Sequence, residues 1–170
     1  MTNHIVLFEP LMPANTGNIA RTCAGTDTVL DLIEPLGFSI DDKHMKRAGL
    51  DYWDKVKIKI HQNLPAFVDS IPENGKLFLV SKFANQSYVD PDYANEANDY
   101  YFLFGKETTG LPEPFMRMHP EKAIRIPQDD SNIRALNLSN SAAIVIYEAL
   151  RQQNFNHLEQ THLYDNDKLK

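Results

Sequence analysis

The chain has 170 residues, of which 42% are hydrophobic and 24% charged, with a formal net charge of −6. That is enough chain for one compact domain with a real core, and the composition excludes a disordered or fibrous protein. The acidic balance argues against a general nucleic-acid coating protein, because phosphate binding is largely electrostatic.

No apolar run approaches the roughly 20 residues that cross a bilayer, so no membrane partner is expected. The opening "MTNHIVLFEP" lacks the basic and apolar regions of a signal peptide. Cys23 is the only cysteine, which rules out an internal disulfide and suits a reducing cytoplasm. His4, His44, His61, His119, His157 and His162 are scattered without zinc-site spacing, so no metal is expected.

In chain order, "HIVLF" (4–8) predicts a buried strand ended by Glu9-Pro10. "NTGNIARTCAGT" (15–26) predicts a helix with Asn15 or Thr16 as N-cap, Ile19 and Cys23 lying on its apolar face. "TVLDLIEP" (28–35) is a second strand. "DDKHMKRAG" (41–49) has acid first and base last, the order a helix dipole favours. "KVKIKI" (55–60) alternates strictly, as a half-exposed strand near a sheet edge does. "LPAFVDSI" (64–71) is a short helix with proline in its first turn. "KLFLVS" (76–81) and "DYYFLFG" (99–105) suit the middle of a parallel sheet.

"PEPFMRM" (112–118) predicts a short helix, "AIRIP" (123–127) a strand, and "LSNSAAIVIYEALRQQ" (138–153) the longest helix. This alternation gives an α/β fold with a mostly parallel sheet flanked by helices. One domain spans residues 1–155, followed by a polar tail at 156–170.

Ligands of open α/β sheets bind where strands run out into loops, and three loops stand out. "PANTGNIART" offers the side chains of Asn15, Thr16 and Asn18 at a helix start, with Arg21 further along. A helix N-terminus with an arginine suits an anion, although a capped helix with a surface arginine reads equally well. "FGKETTGLPE" (104–113) is a glycine-bracketed turn that is neither a Walker loop nor a dinucleotide fingerprint. In "RALNLSNSAA" (134–143) the polar residues Asn137, Ser139, Asn140 and Ser141 exceed what one cap requires. Ser139, Asn140 or Ser141 each suits the cap. Cys23 and Tyr147 sit in apolar helical stripes, where packing is the default reading.

Together, "NTGNIARTCA", "FGKETTGLP" and "IRIP…RALNLSNSAA" resemble the three ordered signature motifs of the SPOUT superfamily of RNA methyltransferases, over nearly the whole chain. "IEPLGFSIDDKHMKRAGLDYW" (33–53) resembles its small single-domain branch, whose members methylate the ribose 2'-hydroxyl of the tRNA wobble nucleotide, cytidine or modified uridine at position 34.

The resemblance implies a C-terminal deep trefoil knot that holds S-adenosylmethionine, with S-adenosylhomocysteine as product. It implies cofactor contacts at Val80, Gly105, Ile126, Ala135 and Leu136, and it assigns Arg21, Asn15, Glu107, Asn137 and Ser139 to catalysis. Arg21, Lys43, Lys46, Arg47 and Tyr147 would meet RNA, the basic 43–59 segment attracting the anticodon stem-loop. The assembly implied is a homodimer joined through the first and last helices. Ala135 departs from the pattern, since related motifs commonly carry serine there. Two alternatives stay open: methylation of another RNA such as rRNA, and a catalytically weak knotted RNA-binding protein.

Overall fold

The computed structural model describes residues 1–40 and 52–161. Lys43, Lys46 and Arg47, and the helix expected over 41–49, lie outside the described residues.

The unbroken apolar runs form the centre of the sheet. β1 (Asn3–Phe8) is buried at every position, as is β2 (Val29–Ile33). β6 (Asp99–Phe104) is buried at all but its first residue. With β3 (Ile58–His61), β4 (Gly75–Val80), β5 (Gln86–Ser87) and β7 (Ala123–Arg125), they make a seven-stranded sheet in the order β3-β2-β1-β6-β4-β7-β5. Every strand pairing in it is parallel.

β3 holds one edge, where Lys59 is exposed as the alternating pattern requires, while Ile60, expected on the covered face, is exposed too. Its strand starts three residues later than the sequence suggests, because Trp53–Lys55 close a 3-10 turn with Trp53 in the core. β5, at the other edge, is two residues long and carries no readable pattern.

Four helices flank this sheet among the described residues. α1 (Pro13–Thr26) and α4 (Leu138–Gln152) pack on one face, over Ile5, Leu7, Leu30 and Phe102. α2 (Leu64–Asp69) and α3 (Glu113–Met118) lie on the other, over Val6, Ile33, Tyr101 and Leu103. Val145, Ile146, Ala149 and Leu150 form the buried stripe of α4, the i, i+1, i+4, i+5 spacing of one helical face. The C-terminal segment is held further than its polarity suggests, since Phe155 and Leu158 still pack on the core.

Polar groups inside the sheet are paired. Asp31, 1% exposed, sits between two imidazoles: His4 Nδ1 is 2.6 Å from one carboxylate oxygen and His61 Nε2 is 2.7 Å from the other. His4 also stacks on Tyr101 at 4.0 Å.

β2 and β3 lie to one side of β1, and β6, β4, β7 and β5 to the other. The chain therefore changes direction between β1 and β6, and parallel sheets open a crevice beyond the strand ends at such a point.

Candidate active site

A cavity of 520 Å³ opens beyond the carboxyl ends of β4, β6 and β7. Its wall carries Val80 from β4, Phe104 and Gly105 after β6, and Ile126 after β7, with Ala135, Leu136 and Asn137 before α4. All five residues expected to hold the cofactor face this one space. Asn15, Glu107 and Asn137 join them, while Ser139 lies just outside.

The 105–110 loop is drawn tight. Lys106 and Gly110 exchange backbone hydrogen bonds of 3.2 and 3.0 Å, and Gly110 has φ +73. A Cβ on Gly105 would lie 2.2 Å from the Gly110 carbonyl carbon, so the turn closes only on glycine at both ends. Lys106 pairs with Glu9 and lies over the Phe8 ring. The 126–137 segment is pinned beside this loop. Lys82 Nζ donates to the Arg134 carbonyl at 3.1 Å, and Arg134 donates to the Thr108 carbonyl at 3.1 Å. Asp129 orders the segment from within by accepting from the Ser131 amide at 3.0 Å and from Asn132 at 2.7 Å.

Four of the expected catalytic residues form one hydrogen-bonded chain. Glu107 accepts from the Leu11 amide at 3.0 Å, the Met12 amide at 3.1 Å and Asn15 Nδ2 at 3.2 Å. Asn15 in turn accepts from Asn137 Nδ2 at 3.1 Å. Asn137 Oδ1 then accepts from the Ser139 amide at 2.9 Å, the Asn140 amide at 3.2 Å and the Ser139 hydroxyl at 2.6 Å. Partial burial alone would raise the Glu107 pKa, but the amides of Leu11 and Met12 and the Asn15 side chain outweigh it and hold the carboxyl below its ordinary value.

These bonds correct both expected caps. α1 begins at Pro13 after Met12, and neither Asn15 nor Thr16 caps it; both are buried within its first turn. Glu107 instead satisfies amides at its entrance, which favours a carboxylate because the helix N-terminus is electropositive. In α4 the cap is Asn137 rather than Ser139, Asn140 or Ser141. An asparagine oxygen two and three residues ahead of free amides has the N-cap geometry.

Arg21 and Tyr147 lie away from the cavity wall, on exposed faces of α1 and α4. The Arg21 guanidinium sits 4.8 Å from the centre of the Tyr52 ring, and the Tyr52 hydroxyl donates to the Gly17 carbonyl at 2.9 Å. Sequence reasoning missed Tyr52 as a site residue. It also missed Lys82 and Phe83 on the cavity rim, where Phe83 is 75% exposed; a basic-aromatic pair directly after an apolar strand was the signal available. Among the described residues no cluster of His, Cys, Asp or Glu could hold a metal ion. No described helix is long and apolar enough to cross a membrane.

The model of the SpoU rRNA methylase family matches residues 2–147. The chain belongs to this family. It is 64% identical over 170 residues to a Lactobacillus gasseri protein, covering 100% of this chain and 91% of that one. A tRNA (cytidine(34)-2'-O)-methyltransferase of Methylovorus glucosotrophus is 45% identical over 153 residues, with 89% of this chain and 96% of that one covered. Among solved structures, one that concerns 2-OH methylation of C/U34 on tRNA superposes with a TM-score of 0.81 at 37% identity, covering 90% of this chain and 97% of that one. The SpoU methyltransferase AviRb of Streptomyces viridochromogenes, in complex with AdoMet, shares the fold at a TM-score of 0.71 and 21% identity, covering 89% of this chain and 57% of its own.

Proposed function

We propose that this chain is a tRNA 2'-O-methyltransferase that transfers the methyl group of S-adenosylmethionine to the ribose of nucleotide 34, cytidine or modified uridine. The observation that carries this reading is a shared cavity into which three sequence-distant loops bring Val80, Gly105, Ile126, Ala135 and Leu136 beside the Glu107–Asn15–Asn137 chain. Relatives named for this reaction support it over nearly full length.

The wall suits an adenosyl group. Val80, Phe104, Ile126 and Leu136 offer apolar contact for a flat base. Residues 126–137 form neither helix nor strand, so their peptide groups can face a ligand. Lys82 and Arg134 supply cations for a ligand carboxylate. When bound, S-adenosylmethionine supplies an electrophilic methyl group on a sulfonium. The chain's own task is to hold the ribose oxygen in line and ease loss of its proton.

Arg21 stays protonated in proteins, so its role is electrostatic: it anchors a phosphate and stabilises negative charge growing on the ribose oxygen. Asn15, Glu107, Asn137 and Ser139 hold the loops in register. Arg21 is exposed on α1, and Tyr147 is exposed on α4 together with Ile144, three residues before it. This supports a homodimer joined through those helices, in which Arg21 completes an RNA site with its partner. Lys43, Lys46 and Arg47 attract the anticodon stem-loop. The Arg134–Thr108 bond, which sets 126–137 against the 105–110 loop, supports a trefoil knot, and a tRNA substrate suits a cytoplasmic enzyme.

Labelled S-adenosylmethionine incubated with total tRNA and with rRNA, followed by mapping of the methylated nucleotide, tests the reading. Label at the 2'-oxygen of nucleotide 34 is expected. Label only in rRNA, or cofactor and RNA binding without transfer, overturns it. Arg21→Ala is expected to abolish transfer and leave cofactor affinity near wild type.

A further inference from the structure

We propose that Tyr52 is a positioning residue for Arg21, holding the guanidinium over its ring and leaving N–H donors for RNA; this rests on the reading of Arg21 given above. Arg21 is exposed, and among the described residues no carboxylate lies within ion-pair distance of it. An exposed arginine side chain spreads over many rotamers, and fixing it costs entropy.

A carboxylate partner would fix the guanidinium, but it would consume two donors and cancel the charge that a phosphate or alkoxide needs. An aromatic ring avoids both losses. Stacking engages the π face and leaves the in-plane N–H groups pointing outward. Tyr52 supplies such a ring, 4.8 Å from the Arg21 guanidinium carbon.

The ring is itself anchored from three sides. Its hydroxyl donates to the carbonyl of Gly17, the residue one helical turn before Arg21, at 2.9 Å. A glycine leaves no side chain between the ring and the helix. Tyr52 packs on the main core cluster, and the next residue, Trp53, is buried in it. The Tyr52 carbonyl accepts from the Lys55 amide at 3.0 Å, closing the turn that carries the ring. The platform therefore belongs to the rigid body of the domain, as a positioned cation requires.

The test compares Tyr52→Leu, Tyr52→Phe and Arg21→Ala in the full chain, reading kcat and KM for tRNA and for S-adenosylmethionine. NMR of the Arg21 side chain in the unliganded protein reads the stacking separately, through the ring-current shift. Tyr52→Leu is expected to lower kcat about tenfold, within the range a cation–π contact spans, with KM for S-adenosylmethionine unchanged and the ring-current shift lost. Tyr52→Phe keeps the ring, so it is expected to retain the shift and most of kcat.

Wild-type kcat in Tyr52→Leu, while Arg21→Ala is inactive, overturns the proposal and leaves the role of Arg21 standing. An equal loss in Tyr52→Phe and Tyr52→Leu, or a loss that follows melting temperature, also overturns it. Full transfer by Arg21→Ala overturns the reading of Arg21 itself, whatever the NMR shows.

Discussion

Asn15 Nδ2 donates to Glu107 at 3.2 Å, across 92 positions of chain. One bond thereby ties the start of the first helix to the loop that walls the cavity. Because Glu107 also accepts from two backbone amides, its removal strands three donors at once. Glu107→Ala is expected to cost about 2 kcal/mol, the range of hydrogen bonds to a charged, partly exposed acceptor. A double-mutant cycle with Asn15→Ala, read by urea unfolding, is expected to show coupling of about 1 kcal/mol. Strict additivity would show that the two side chains act separately.

Glu107 also sets a pH dependence. Its pKa is lowered in the folded chain, so its contribution is complete above the ordinary glutamate value of 4.5 and is lost as pH falls through the lower folded value. Unfolding free energy measured in the acid range is expected to fall less steeply in Glu107→Gln than in the parent, because the variant has no proton to take up there. Identical slopes would refute this.

Asp31 is a buried acceptor for both His4 and His61. Asp31→Ala leaves two imidazoles facing an empty site and is expected to destabilise the fold by about 3 kcal/mol, the upper range for leaving buried hydrogen-bonding groups without their partner. The melting temperature measured by calorimetry should drop by roughly 10 °C, at about 3 °C per kcal/mol for a domain of this size. A drop of only a degree or two would mean that the cluster is not a stabilising element.

Cys23 is buried in α1, and burial, helped by the charge of Asp31, pushes its thiol up to about 12. The thiolate is the reactive form, so iodoacetamide at neutral pH is expected to leave the folded chain unlabelled and to modify it fully in denaturant. Rapid labelling of the folded chain would show that α1 opens readily.

Much of this architecture was legible in the sequence. Val6 to Phe8 and Tyr101 to Phe104 are apolar without alternation because both faces of a central parallel strand are covered. Lys57 and Lys59 are exposed beside half-buried Ile58, so the lysines marked the edge strand, but Ile60 is exposed as well and strict alternation of faces is not kept. The loops at the strand ends were equally readable, since parallel topology leaves ligands few other places.

The α1 cap was not legible, for a physical reason. Cap rules assume that a helix end is satisfied by its own flanking side chain, and α1 is served by Glu107, which is remote in sequence but follows β6, the strand beside β1. Asn15 reads as a cap locally, but it is spent on Glu107 and Asn137. Tyr52 escaped notice because its meaning is a distance to Arg21, which no local pattern records.

The hydrogen-bonded chain through Glu107, Asn15 and Asn137 has a consequence for how such sequences diverge. Each residue is both donor and recipient of constraint, so a substitution tolerated at one position changes what the other two must be. The three signatures look independent when read along the chain. They should nonetheless drift as one covarying unit, and a lineage that loses one asparagine should replace its partners along with it.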